Sequence, residues 1–123
     1  MKITPDFITA ANNLAYLLTE QHKDLNEALK FAQIAKEKLP NDAGVIDTLG
    51  WVYYKKGLYD SAISEFSDSL KKNSGNATIH YHLGLAYNKK GKKDLAKRQF
   101  EKALDINKNF QEAEQARKLL SEL

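Results

Sequence analysis

The chain has 123 residues, a formal net charge of +3 and no cysteine, so it is one domain's worth of sequence with no disulfide frame, thiolate zinc site or cysteine nucleophile. With 42% hydrophobic and 28% charged residues, six Gly and two Pro, it is neither a low-complexity chain nor a disordered one. No stretch approaches the roughly 20 apolar residues of a membrane span, and Met1–Asp6 leads into no apolar export segment, so membrane insertion is not expected and the expected location is cytoplasmic.

Apolar residues recur at steps of three and four throughout, as in Leu58, Ala62, Ile63, Phe66 and Leu70. That spacing predicts an all-α chain with helices near 6–21, 24–38, 43–56, 59–72, 77–90, 93–106 and 110–122. The first helix runs into Gln21-His22-Lys23-Asp24, where Asp24 can cap the second helix. Pro40-Asn41-Asp42 precedes the third, Lys56-Gly57 separates the third from the fourth, and Asn73-Ser74-Gly75-Asn76 precedes the fifth. Lys90-Gly91 then breaks the fifth from the sixth, each glycine being suited to a left-handed helix end. The last helix puts Phe110, Ala113, Ala116, Leu119 and Leu120 on one side, which reads as a cap.

The elements repeat. Leu14, Leu49 and Leu83 are 35 and then 34 residues apart, and Ala15/Gly50/Gly84, Leu18/Tyr53/Tyr87 and Asn12/Asp47/Tyr81 keep the same steps. Ala28/Ala62/Ala96 and Ala32/Phe66/Phe100 are spaced by 34 both times, so the first unit carries one extra residue between Leu18 and Ala28. A helical hairpin cannot bury its apolar stripe alone, whereas stacked hairpins bury a continuous core. Gly50 and Gly84 are expected to face Ala62 and Ala96 at a close approach of the two helices in a hairpin. Tyr53, Phe66, Tyr87 and Phe100 are expected to fill the space between hairpins.

These residues resemble tetratricopeptide repeats. The matching words are Leu49-Gly50-Trp51-Val52-Tyr53 and Leu83-Gly84-Leu85-Ala86-Tyr87, each followed by Ala62…Phe66…Ser69 or Ala96…Phe100…Ala103. The first unit departs in Leu14-Ala15-Tyr16-Leu17-Leu18 and in Ala32, and only Pro40 stands in the closing proline column. The resemblance implies an α-α superhelix of seven antiparallel helices in a single domain spanning 1–123. Its repeats would run at about 8–42, 43–76 and 77–110, with a capping helix at 111–123. The flanking words look like the C-terminal repeats of longer bacterial proteins of this family, which favours a bacterial origin and leaves a fragment of a longer chain as one expectation.

The resemblance further implies a non-catalytic protein–protein interaction module, whose concave face, built from the first helix of each pair, receives a peptide or helical segment of a partner. By matching columns, that groove would present Asn12, Asn13, Tyr16 and Glu20, then Asp47, Thr48, Trp51, Tyr54 and Lys55, then Thr78, Tyr81, His82, Leu85, Asn88 and Lys89. Trp51 is one residue past Gly50 and Tyr54 three further on, so both share a face beside the hairpin contact. Trp51, Tyr54 and Tyr81 are the expected energetic centre, with Asn12, Asp47, Asn88 and Lys89 setting orientation. For Trp51 and Tyr81 singly, packing between adjacent helices is an equal alternative. The alternative function is a fragment of a longer array, or a self-associating scaffold, that makes its main contacts at the Phe7/Ile8 end and the Leu119/Leu120/Leu123 end.

No catalytic, cofactor or metal set is legible. His80 and His82 are two apart, so they point about 200° from one another and cannot grip one metal. His80 reads as a semi-core residue, and His22 stands in a turn. The sequence has no phosphate loop, Ser elbow or His-Glu zinc motif. The excess positive charge lies wholly from Ala62 onward, densest over Lys89, Lys90, Lys92, Lys93, Lys97 and Arg98, which straddle a turn with Asp94 among them. Nucleic-acid binding is therefore not expected. Chaperone C-terminal tails are disfavoured too, because Asn12, Tyr16, Thr48, Thr78 and His82 occupy the columns where some family members place carboxylate-gripping cations.

Overall fold

The computed structural model describes residues 5–123, with side chains from Phe7 onward; Met1–Thr4, on which the expectation of no export segment partly rests, lie outside the described residues. Seven helices follow one another: α1 (Pro5–Glu20), α2 (Leu25–Lys38), α3 (Ala43–Lys55), α4 (Tyr59–Lys72), α5 (Ala77–Lys89), α6 (Lys93–Ile106) and α7 (Ala113–Glu122). They pair as α1–α2, α3–α4 and α5–α6, with α7 packed on α6. In addition α1 touches α3, and α3 touches α5. The first helices thus form the inner layer of the curve. Among the described residues no helix is long and apolar enough to cross a membrane.

Local chemistry explains the boundaries. Asp42 and Asn76 cap α3 and α5 by accepting from the Val45 and Ile79 amides. The same column holds Phe110 before α7, which cannot cap, and the helix starts at Ala113 rather than at 110 as the spacing predicts. Gly57 and Gly91 take φ of 82° and 76° at the mid-hairpin turns, where Leu58 N–H donates to Tyr53 and Lys92 N–H to Tyr87. In the first hairpin His22 takes that role with φ 51°, its neighbour Lys23 donating to Leu18. The extra residue therefore falls just after the turn, and Asp24, itself left-handed at φ 45°, caps α2 through the Glu27 amide. His22 and Asp24 have side chains that tolerate this region better than most.

What lies nearest Gly50 and Gly84 is a ring one turn beyond Ala62 and Ala96: a Cβ at either glycine would lie 2.6 Å from the ring of Phe66 or Phe100. Side chains on a helix lean toward its N-terminus, so the longer ring reaches back over the glycine. Ala28 and Ala62 also belong to buried clusters that join successive hairpins, Ala28 with Leu49 and Val52, Ala62 with Leu83 and Ala86. In the first hairpin the pair is Ala15 with Ala32, both fully buried, so a larger residue on one helix is matched by a smaller one on the other.

The Gly–ring contact yields a test that separates strain from helix propensity. Gly84→Ala should gain about 1 kcal/mol of helix propensity yet lose stability overall, overpacking against the buried Phe100 costing on the order of 1–3 kcal/mol. Denaturant melts should show that loss shrinking in a Phe100→Leu background. Equal effects in both backgrounds would contradict the contact.

Candidate functional site

The inner layer encloses one groove of about 240 Å³ lined by Tyr16, Glu20, Trp51, Tyr54, Lys55, Tyr81, His82, Leu85 and Glu112. Its wall is a stack of rings. The indole of Trp51 lies 4.2 Å from the His82 ring and 5.1 Å from the Tyr54 ring, measured between centroids, and the Lys55 ammonium sits 4.8 Å over the indole. Such an ammonium is attracted by the electron-rich ring face.

Polar atoms fix this stack from both neighbouring hairpins. Trp51 Nε1–H donates to Glu20 Oε1 of α1 at 2.6 Å, and His82 Nδ1 of α5 lies 2.8 Å from Asp47 Oδ1 of α3. His82 is 2% exposed, so this contact is a tie between hairpins inside the protein. Thr78 Oγ1 donates to Glu112 at 3.3 Å, holding the segment before α7 against α5.

Trp51 and Tyr81 are each 7% exposed, so for these two the packing alternative describes most of their surface. Tyr81 meets Phe100 and Phe110 at 5.7 and 6.0 Å between centroids, within the core beneath the cap. Of the expected groove residues, Tyr16, Glu20, Trp51, Tyr54, Lys55, Tyr81, His82 and Leu85 come together here. Asp47 stands behind His82, while Asn12, Asn88 and Lys89 do not line the cavity. Asn12 Oδ1 is buried and has no hydrogen-bond partner among the described residues.

Beside the expected Glu20, Glu112 is an addition to that set. Glu112 could have been found by carrying the Thr78 column 34 residues further, into what would be the first helix of a fourth hairpin. The two acids give the groove its sign. Burial, then the charges of Glu20, Glu112 and Asp47, raise the Tyr16 pKa above its ordinary value, and burial followed by Glu112 does the same to Tyr81. Burial, with smaller effects of Tyr59 and Tyr81, pushes Tyr54 up to about 12.

His80, by contrast, has both ring nitrogens occupied, 2.7 Å from the Gln99 amide oxygen and 2.9 Å from the Ser74 carbonyl. Among the described residues no group of three His, Asp or Glu side chains could hold a metal.

The TPR repeat model matches residues 50–91, and the tetratricopeptide repeat model matches 77–110. The chain is a tetratricopeptide repeat protein. Three hairpins and a capping helix agree with solved structures of this fold. The type III secretion translocator chaperone SycD of Yersinia enterocolitica, in an alternative dimer, superposes with a TM-score of 0.87 at 18% identity, covering 99% of this chain and 95% of that one. The first repeat domain of Spaghetti (RPAP3), bound to the HSP90 peptide SRMEEVD, gives 0.82 at 16% identity over 98% and 95%. The first repeat domain of human RPAP3 gives 0.83 at 18% over 96% and 93%. At these identities the likeness is one of fold. No curated protein matches the chain in sequence.

The Tyr54 shift predicts a pH effect. Between pH about 10 and 12 the unfolded chain loses the phenolic proton while the folded tetratricopeptide domain keeps it, so stability falls as pH rises through this window. Tyr54→Phe should flatten that part of the decline in urea midpoints measured from pH 9 upward. A decline of equal slope in the variant would place the shift elsewhere.

Proposed function

We propose that this protein is a non-catalytic interaction module whose three hairpins, at about 8–42, 43–76 and 77–110, act as one unit that holds a peptide or helical segment of another protein in the groove of α1, α3 and α5. The observation that carries the reading is the convergence of Tyr16, Trp51, Tyr54 and Tyr81, from three hairpins, on one concavity with polar atoms at its rim. Rigid aromatic side chains give contact area at little entropic cost, and interfaces are enriched in them. The relatives support it in kind, since one repeat domain of the same fold is bound to a peptide and another is a chaperone.

The groove's charge narrows the class of segment. Glu20 and Glu112 line it against Lys55 alone, with Asp47 taken up by His82, so it is acidic inside a chain of net charge +3. A segment carrying Lys or Arg is complementary to it, and an acidic tail is not. Here the chain differs in ligand from the relative bound to SRMEEVD.

Trp51 is the sole tryptophan, so its emission reports on the groove directly. An amphipathic synthetic peptide of Leu, Ala and Lys should shift Trp51 emission and bind at least about tenfold more tightly than its Glu counterpart. Glu112→Lys should remove the preference without altering the far-ultraviolet spectrum. A Trp51 signal that neither peptide moves, or one that follows the acidic peptide, would sink the assignment. Tyr16, Glu20 and Glu112 are the informative positions, because replacing Trp51 or Tyr81 would also disturb packing.

A further inference from the structure

The groove holds two carboxylates that are oriented by the protein but paired with no cation. Glu20 Oε1 accepts from the Trp51 indole at 2.6 Å and Glu112 Oε2 from the Thr78 hydroxyl at 3.3 Å, so a neutral donor fixes each acid through one oxygen. Among the described residues neither acid makes an ion pair, and the other oxygen of each receives no hydrogen bond from the protein. Lys55, the cation that lines the same cavity, rests instead on the face of Trp51, 4.8 Å from the ring centroid. Tyr16 completes the set. It is 39% exposed and, alone among Tyr16, Trp51, Tyr54 and Tyr81, packs against no other ring among the described residues. Tyr16 and Glu20 are four apart on α1 and so share a face. After burial, the charges of Glu20 and Glu112 are the largest influences raising the Tyr16 pKa, so both acids lie within electrostatic reach of this one ring.

We propose that Tyr16, Glu20 and Glu112 form a seat for the guanidinium of an arginine in the partner segment, and that this seat selects arginine over lysine. The proposal rests on the peptide-binding reading above and adds to it the side chain that is recognised. Size limits what enters. At about 240 Å³ the cavity is smaller than the roughly 300–1,000 Å³ pockets that enclose whole small ligands. A helix with its side chains is about 10–12 Å across. One side chain therefore goes in, while the backbone that carries it crosses the mouth.

Chemistry then separates the two basic side chains. A guanidinium is planar, weakly hydrated and carries five donors, so it lies on the Tyr16 ring by its face and donates to carboxylate oxygens by its edge. An ammonium is compact and strongly hydrated, and its best partner in this cavity, the indole face, already holds Lys55. The presence of Lys55 on that face also shows that the rings of this cavity hold a cation. Net charge treats arginine and lysine alike, so a preference between them isolates the geometry of the seat from the general attraction of an acidic groove.

Titrations followed by Trp51 emission test the proposal with the Leu, Ala and Lys peptide, its Glu counterpart, and two further versions in which every Lys is replaced by Arg or by citrulline, the uncharged counterpart of Arg. The Arg peptide should bind at least about fivefold more tightly than the Lys peptide, and the citrulline peptide more weakly than either. Glu20→Gln and Glu112→Gln keep an oxygen for Trp51 and Thr78, so the far-ultraviolet spectrum should not change, yet each should bring the Arg and Lys affinities together. Tyr16→Leu, at a partly exposed position, should do the same. Arg and Lys peptides that bind equally, both more tightly than the Glu peptide, overturn the arginine seat and leave the peptide-binding reading in place. Basic peptides that leave Trp51 unmoved, or bind no better than the Glu peptide, overturn both. An Arg preference that survives both Gln variants also overturns the seat, because it would then arise away from these carboxylates.

Discussion

A helical hairpin of this size has one apolar face toward its own partner helix and another that only the next hairpin can cover. Everything else in the structure follows from that second burial. The same leucine column is nearly inaccessible in α3 and α5 and two-fifths exposed in α1, although the residue is leucine in all three. Burial here is a property of position in the stack rather than of the residue. Exposed ties between hairpins, Lys56 with Asn26 and Lys90 with Asp60, recur at the same columns along the outside but add little beside the apolar contact.

The groove is a by-product of the same stacking. Because α1 touches α3 and α3 touches α5, their inward side chains converge, and pairs far apart in sequence come within hydrogen-bond reach, Glu20 with Trp51 and Asp47 with His82. The stacked rings of His82, Trp51 and Tyr54 then form a rigid wall spanning two hairpins. The acidic residues Glu20 and Glu112 that line it give it a sign opposite to that of the chain as a whole, so net charge is a poor guide to what the concave side attracts.

Periodicity made the architecture legible. The 34-residue columns, the turn glycines and the capping Asp42 and Asn76 locate six helices to within a residue or two, because each signal acts on its own neighbours. The partner of Gly50 was not legible in the same way. Spacing says that a small residue marks a close approach, but whether Ala62 or Phe66 fills it depends on how far each side chain reaches back along its helix. The late start of α7 was readable in hindsight from Phe110 in a capping column. Columns could name Trp51 and Tyr81 as inward-facing but could not say how much of each ring the neighbouring helices would cover. Asn88 and Lys89 fail for another reason: they share the columns of Tyr54 and Lys55, which do line the cavity, but stand one hairpin further along, so a column alone could not exclude them.

Residue-resolved amide hydrogen exchange measures most directly whether each hairpin depends on its neighbour for burial. The account predicts that amides of α1, whose leucine column is exposed, open by local unfolding at lower free energy than those of α3 and α5. An α1 as protected as α5 would contradict it, since the uncovered face would then cost the first hairpin nothing.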